Sequence, residues 1–319
     1  MNSFKKILQF LIAFTISATL LYIAFGKDPE SWESIKNEMQ KCNYNFILIS
    51  VFLGFLALVS RAMRWIILIK SMGYKSTLNK SFSAVSIGYF SNLIIPRIGE
   101  ITRCSSMSNL TQAPFNKLFG TVILERIIDF VMMVILTFLV IVTHRNTFIL
   151  FIKNSMPENI NYENNILYII VILFFAFLGI MLLYKKMKNK IKKFISGVKE
   201  GLMSIKKMKS KTLFIAHTVF IWLMYYLMTY VCFFSFNDTL ILKTKDALYT
   251  MVIGGYGMMI PSLGGTGTYH TLVGSGLELL QVEKSIASAF TIILHGAQSI
   301  MTILVGVIGI FVFLYLKRK

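Results

Sequence analysis

The stretch NLIIPRIGEITR, residues 92–103, puts Pro96, Arg97, Gly99, Glu100 and Arg103 within eight residues, directly after an apolar run. A second group, Glu125, Arg126 and Asp129, sits inside the otherwise apolar segment FGTVILERIIDFVMMVILTFLVIVT, residues 119–143. The planar guanidinium of arginine bonds phosphate or carboxylate oxygens two at a time. Arginines and acids in apolar surroundings therefore suit either a structural ion-pair cluster or a site for an anionic headgroup whose charge the acids balance. The two readings are compatible. Glu125 and Asp129 are four apart and share a helix face, with Arg126 within about 100° of both. At about 1.5 Å per residue, Glu125 lies roughly 9 Å in from residue 119 and Asp129 roughly 15 Å. A charge at such depth costs about 2.5–3.5 kcal/mol on insertion scales, so it is expected to be paired, with Glu100 facing either Arg126 or Arg103.

A third constellation is PSLGGTGTYH, residues 261–270, with His295 further on. Pro261 breaks the preceding apolar run as Pro96 does, because proline cannot continue a helix. Gly264 and Gly265 permit a tight turn whose freed N–H groups can hold an anion. Tyr269 and His270, with Tyr256, either line a cavity or sit at a membrane interface. His295 fits an interhelical hydrogen bond first and a proton relay second. No metal centre is expected: Cys42, Cys104 and Cys232 lack paired spacing, and His144, His217, His270 and His295 are scattered. No cofactor is expected either. A membrane-embedded transferase with Glu125 or Asp129 as base is the competing enzyme reading. Against it, the chain shows no nucleophile with a base at useful spacing and no donor-binding motif.

These residues sit in a chain of 319 residues, 55% hydrophobic, with a net charge of +19. That composition belongs to a polytopic all-α membrane protein. Nucleic acid is excluded as a partner because the basic residues crowd into loops beside apolar segments, the positive-inside pattern. Spans of about 20 residues are needed to cross the hydrocarbon core, and six segments qualify: 7–25, 46–68, 119–143, 166–184, 212–236 and 286–316. The first has a rival reading as a cleavable signal peptide. Residues 27–45 read as an outer loop with a short surface helix. Arg61 and Arg64 are counted with the lysines after the second span as inner-side charge, and Arg64–Trp65 as an interfacial anchor. Between 185 and 211 stand eleven lysines and one glutamate, the strongest inner-side marker and a secondary attraction for anionic lipid. The C-terminal KRK is also inner, so both termini are expected in the cytoplasm.

Parity then requires 81–118 to enter and leave on the inner face and 247–283 on the outer face. Each is short and broken by proline and glycine, so each reads as a re-entrant hairpin. A pair of short crossings, giving eight spans, satisfies the same parity. IIPRIGE (94–100) aligns with MIPSLGG (259–265) at an offset of 165, and TVILE (121–125) with TIILH (291–295) at an offset of 170. His295 thus occupies the place of Glu125. The chain reads as one transmembrane domain, 1–319, with no soluble catalytic domain and two halves, about 1–150 and 151–319, of opposite orientation. Inverted repeats with interrupted segments at matching positions mark alternating-access transporters.

PRIGEITR followed by ILERIID, and later PSLGGTGTYHTL before a last long span, resembles the flippase-like membrane domain of lysylphosphatidylglycerol synthases and its stand-alone relatives. The resemblance covers essentially the whole chain. It implies a unit in a bacterial inner membrane that moves a polar-headed lipid, an anionic phospholipid or an aminoacyl-lipid, between leaflets. Working with a separate lipid-modifying or glycosyl-transferring enzyme, including as a non-transporting partner of it, and forming a homodimer stay open. The aminoacyl-transferring domain of the two-part synthases is absent from these 319 residues. The second motif also departs from the expected pattern, with Tyr269 and His270 where an acidic residue would follow the glycines.

Overall fold

The computed structural model describes residues 29–155 and 194–318, with isolated positions 15, 18, 19, 22 and 192. Apart from those isolated positions, the expected spans at 7–25 and 166–184, and residues 185–191 and 193 of the lysine-rich run, lie outside the described residues. Among the described residues every regular element is helical. The main helices in chain order are α1 (Pro29–Lys41), α2 (Tyr44–Ser71), α3 (Leu78–Ile94), α4 (Gly99–Thr111) and α5 (Phe115–Thr143). There follow α6 (Arg145–Ser155), α7 (Lys211–Cys232), α8 (Thr244–Met259), α9 (Thr268–Leu279) and α10 (Lys284–Arg318). Four helices are long and apolar enough to cross a membrane: α2, α5, α7 with its short extension to Ser235, and α10. They coincide with the segments expected at 46–68, 119–143, 212–236 and 286–316, and α1 is the expected surface helix.

The long helices keep apolar faces uncovered. On α5, Ile127, Phe130, Val134 and Phe138 are at least half exposed, which suits a hydrocarbon solvent. Inside, the chain builds two cores. One gathers Trp65, Leu68, Leu118, Val122 and Phe214, from the end of α2 and the beginnings of α5 and α7. The other gathers Ile47, Val140, Phe233 and Phe290, from their opposite ends and the start of α10. The middle of the helices lies between these two cores.

The two broken segments are helical hairpins. Helix α3 stops at Ile94 because Ile95, preceding Pro96, is extended (φ −135°, ψ 118°), the conformation proline imposes on its predecessor. The chain reverses through Arg97, a non-glycine residue at φ 63°. Asn92 Oδ1 accepts the Gly99 N–H at 2.7 Å and pins the start of α4. The arms cross at glycine: a Cβ on Gly88 would stand 2.9 Å from the Gly99 carbonyl oxygen. In the second hairpin Ile260, before Pro261, is again extended. Its turn runs through Gly265 and Gly267 at φ 87° and 85° and is closed by Ser262 Oγ and Thr268 Oγ1 at 2.8 Å.

Packing is reciprocal. The first arm of hairpin one, α3, lies on α10, while its second arm, α4, lies on α5. The first arm of hairpin two, α8, lies on α5, while its second arm, α9, lies on α10. Small residues allow the close approach: Gly309 of α10 faces Ser86 of α3, and Gly120 of α5 faces Gly201. Helix α2 packs along α7 between the two arrangements.

Candidate functional site

A chamber of about 710 Å³ opens where the hairpin tips meet, lined by residues near the middle of α2, α5, α7 and α10. Hairpin one contributes Arg97, Gly99, Glu100 and Arg103, with Pro96 at its tip. Hairpin two contributes Gly264, Gly265 and Tyr269, with Pro261 at its tip. Arg126 and Asp129 face the chamber from α5 and His295 from α10. Glu125 and His270 are outside this lining. The tips touch directly: the Arg97 guanidinium donates to the Met259 carbonyl, and Gly264 abuts Leu93.

The charges are organised around Asp129 and Glu125. Arg61 Nη1 donates to Asp129 Oδ2 at 2.8 Å, and Arg64 donates through Nη1 and Nη2 to Asp129 Oδ1, both at 3.0 Å. Arg64 Nε also reaches Glu125 Oε1 at 3.4 Å, and its Nη1 reaches Thr218 Oγ1 at 3.2 Å. Arg61 Nη2 approaches the Tyr225 hydroxyl at 3.4 Å. One network therefore ties α2 to α5 and α7. Glu125, fully buried, also faces Arg103 Nη2 at 2.7 Å, and the Arg103 guanidinium lies 3.8 Å from the centre of the Trp65 ring. Trp65 is oriented in turn by its Nε1–H bond to Thr121 Oγ1 at 2.9 Å. Glu100 faces Arg126 Nε at 3.6 Å, one of the two pairings the sequence left open.

One expectation is overturned. Arg64 and Trp65 are not an interfacial anchor; both are completely buried. Arg61 is buried as well, so neither arginine is a loop charge. Carboxylates on α5 hold them inside, which offsets the cost of burying them. Arg61 and Arg64 are the residues that sequence reasoning left outside the cluster. Their signal was available: two arginines three apart in an apolar helix match the acids four apart in another.

The second half makes the corresponding contacts without charge. His295 Nε2 lies 3.0 Å from the Gly264 carbonyl oxygen, stacks on Tyr269 with ring centres 5.2 Å apart, and meets His270 edge-on at 4.8 Å. His295 thus holds the turn of hairpin two, as Glu125 holds Arg103 in hairpin one. A further pair missed by the sequence reading, His144 Nε2 and Asp246 Oδ1 at 2.7 Å, joins the end of α5 to the start of α8. Among the described residues no group of three or more His, Cys, Asp or Glu side chains is placed to hold a metal ion.

Apolar helices long enough to span a bilayer and a charged chamber at their mid-length define an integral membrane protein of the polytopic helical class. Residues 8–306 match the lysylphosphatidylglycerol synthase TM region, and the chain belongs to that family. It is 25% identical to the UPF0104 membrane protein MJ1595 of Methanocaldococcus jannaschii, over 99% of this chain and 96% of that protein. No solved structure matches the chain.

Proposed function

We propose that this protein moves a phosphate-headed lipid between the leaflets of its membrane by alternating access to the central chamber. The observation that carries this is a charge imbalance around the chamber, at the mid-length of the long helices. Arg61, Arg64, Arg103 and Arg126 meet only Glu100, Glu125 and Asp129 among the described residues, and Arg97 on the same chamber bonds the Met259 carbonyl instead of an acid, an excess of two positive charges. Uncompensated charge is costly at that depth, and an anionic headgroup is its natural complement. The chamber's remaining wall is largely apolar and includes Met133, Met228, Met251 and Met258, whose flexible thioethers adapt to irregular shapes.

On this reading the hairpins α3–α4 and α8–α9 are re-entrant from opposite faces, and the halves 1–150 and 151–319 are inverted. The reciprocal packing of their arms on α10 and α5 supports that reading, since a two-fold axis in the membrane plane generates such an exchange. Broken backbone at this depth is tolerated where it lines a cavity. The lysine-rich run and the basic C-terminus support a topology with both termini in the cytoplasm. The chain itself performs no chemistry on the lipid, which a separate enzyme makes or modifies.

The test is leaflet-resolved scrambling of a labelled anionic phospholipid in liposomes. Wild type is expected to move the lipid. Arg97→Asn, which keeps access to the left-handed backbone region, should slow movement about 10- to 100-fold, as should Arg126→Ala, the equivalent of losing a charged hydrogen bond of about 1.5–3 kcal/mol. Movement at the wild-type rate in both variants removes the proposed site.

A further inference from the structure

Neither His144 nor Asp246 lines the chamber, and the proposed transport makes no use of them. His144 caps the C-terminal end of α5, and Asp246 stands in the first turn of α8, the first arm of hairpin two. Both are buried, and their contact at 2.7 Å pins the base of that arm to α5. The His144 ring stacks on Tyr249, which belongs to the same core as Val140, Phe148 and Phe151.

Each contact of the imidazole suits its doubly protonated form. Nε2 faces Asp246 Oδ1, an acceptor. Nδ1 faces Thr143 Oγ1 at 3.1 Å. That hydroxyl donates its own hydrogen to the Leu139 carbonyl at 2.9 Å, so it meets Nδ1 with lone pairs. The ring centres of His144 and Tyr249 are 5.4 Å apart, within the range at which an aromatic face attracts a cation. Asp246 is oriented toward the ring because its Oδ2 accepts the Lys243 N–H at 2.6 Å. The charged groups on the surrounding elements are Arg145 and Lys153 on α6, Lys243 and Lys245 at the start of α8, and Glu278 on α9, all exposed. Helix α7 brings Tyr226, whose hydroxyl donates to the Thr244 carbonyl at 3.2 Å. Helix α5 carries no charge between Asp129 and His144. Among the described residues, the acid that pairs with His144 is Asp246.

We infer that His144 is a proton-binding site that latches the base of hairpin two to α5. With the proton bound, the imidazolium donates to both acceptors and balances the Asp246 carboxylate. Without it, one ring nitrogen stops donating and a buried carboxylate loses its counter-charge, which is costly. Histidine exchanges this proton near neutral pH, so the latch is closed in acid and loosens as pH rises. On the proposed topology the pair lies at the outer face, where α5 ends. A hairpin pinned at its base resists the tilt that parts its tip from hairpin one. The consequence for transport rests on the transport reading: acid at the outer face slows lipid movement.

Thermal unfolding in detergent between about pH 5 and about pH 8 tests the latch independently of transport. The wild-type midpoint is expected to fall as pH rises through the histidine range. His144→Gln and Asp246→Asn should each flatten that fall, leaving only what the other histidines contribute. Thr143→Val, at an exposed position, keeps the ion pair and removes the second acceptor, so it should move the fall to lower pH. A merely structural cap predicts a less stable His144→Gln with the pH dependence of wild type. That result overturns the inference, as does an unmoved fall in Thr143→Val. In liposomes equilibrated at about pH 5.5 or about pH 7.5, wild type should move a labelled anionic phospholipid about tenfold more slowly at the lower pH. His144→Gln should move it equally at both. Movement independent of pH, in a wild type whose midpoint does titrate through His144, overturns the coupling of latch to transport. Failure of the wild type to move any lipid at either pH overturns the transport reading, whereas a His144-dependent fall of the midpoint still supports the latch.

Discussion

Asp129 shows how this membrane protein keeps charge inside. It accepts from Arg61 and Arg64 at 2.8–3.0 Å, and Glu125 takes the remaining Arg64 nitrogen and Arg103. Removing one member leaves an unpaired buried charge, a loss of about 3–5 kcal/mol. Arg64→Met is therefore expected to unfold in detergent at markedly lower denaturant than wild type. Replacing both partners of a buried pair with apolar residues is close to neutral in many proteins. The double variant Arg103→Met with Glu125→Leu should accordingly be milder than either single change. Chemical unfolding of the three variants checks this, and a double variant as unstable as the sum of the singles would deny the pairing. The acids and Arg126 were legible from their depth in an apolar segment. Arg61 and Arg64 were misread because an arginine near the end of a span looks the same in sequence whether it faces lysines in a loop or carboxylates in the bundle.

At the scale of the elements, proline and glycine decide where the hairpins turn and how close their arms come. Pro96 and Pro261 end α3 and α8 by forcing their predecessors into extended backbone. Both breaks were visible in the sequence, since the effect is local. The approach of the arms was not. A Cβ on Gly99 would fall on the Gly88 carbonyl and the Asn92 side chain, and the Gly88 backbone cannot swing aside as the end of a flexible side chain can. Gly99→Ala is expected to cost about 1–3 kcal/mol and to lower the thermal midpoint in detergent. Gly274→Ala meets nothing within 4 Å and replaces glycine in a helix interior. It should leave stability unchanged or raise it by up to about 1 kcal/mol. Equal effects from the two substitutions would mean that the glycine crossing does not set the hairpin's geometry.

For the whole molecule, the decisive feature is that two cores flank one chamber. Each core can hold its own ends of the long helices while the middle opens, which suits rocking about a central site. If the protein transports as proposed, the contact between the tips at Leu93 and Gly264 has to break in each cycle. With Leu93→Cys and Gly264→Cys, oxidation should stop lipid movement and reduction restore it. Background reaction is limited because Cys42, Cys104 and Cys232 are buried. Undiminished movement with the tips cross-linked would show that they do not part.

By itself the sequence determined the helical class, the four described spans, the two broken segments and the presence of charge at depth. Each is a local property: apolar run length, a missing N–H, a charge count. The tertiary structure alone decided which acids Arg61, Arg64 and Arg103 meet, that Arg64 and Trp65 are buried, and that ten of the candidate residues, but not Glu125 or His270, line one chamber. The reason is distance along the chain. The partners of Arg61 and Arg64 on α5 lie 61 to 68 residues away, and only packing brings their helices together.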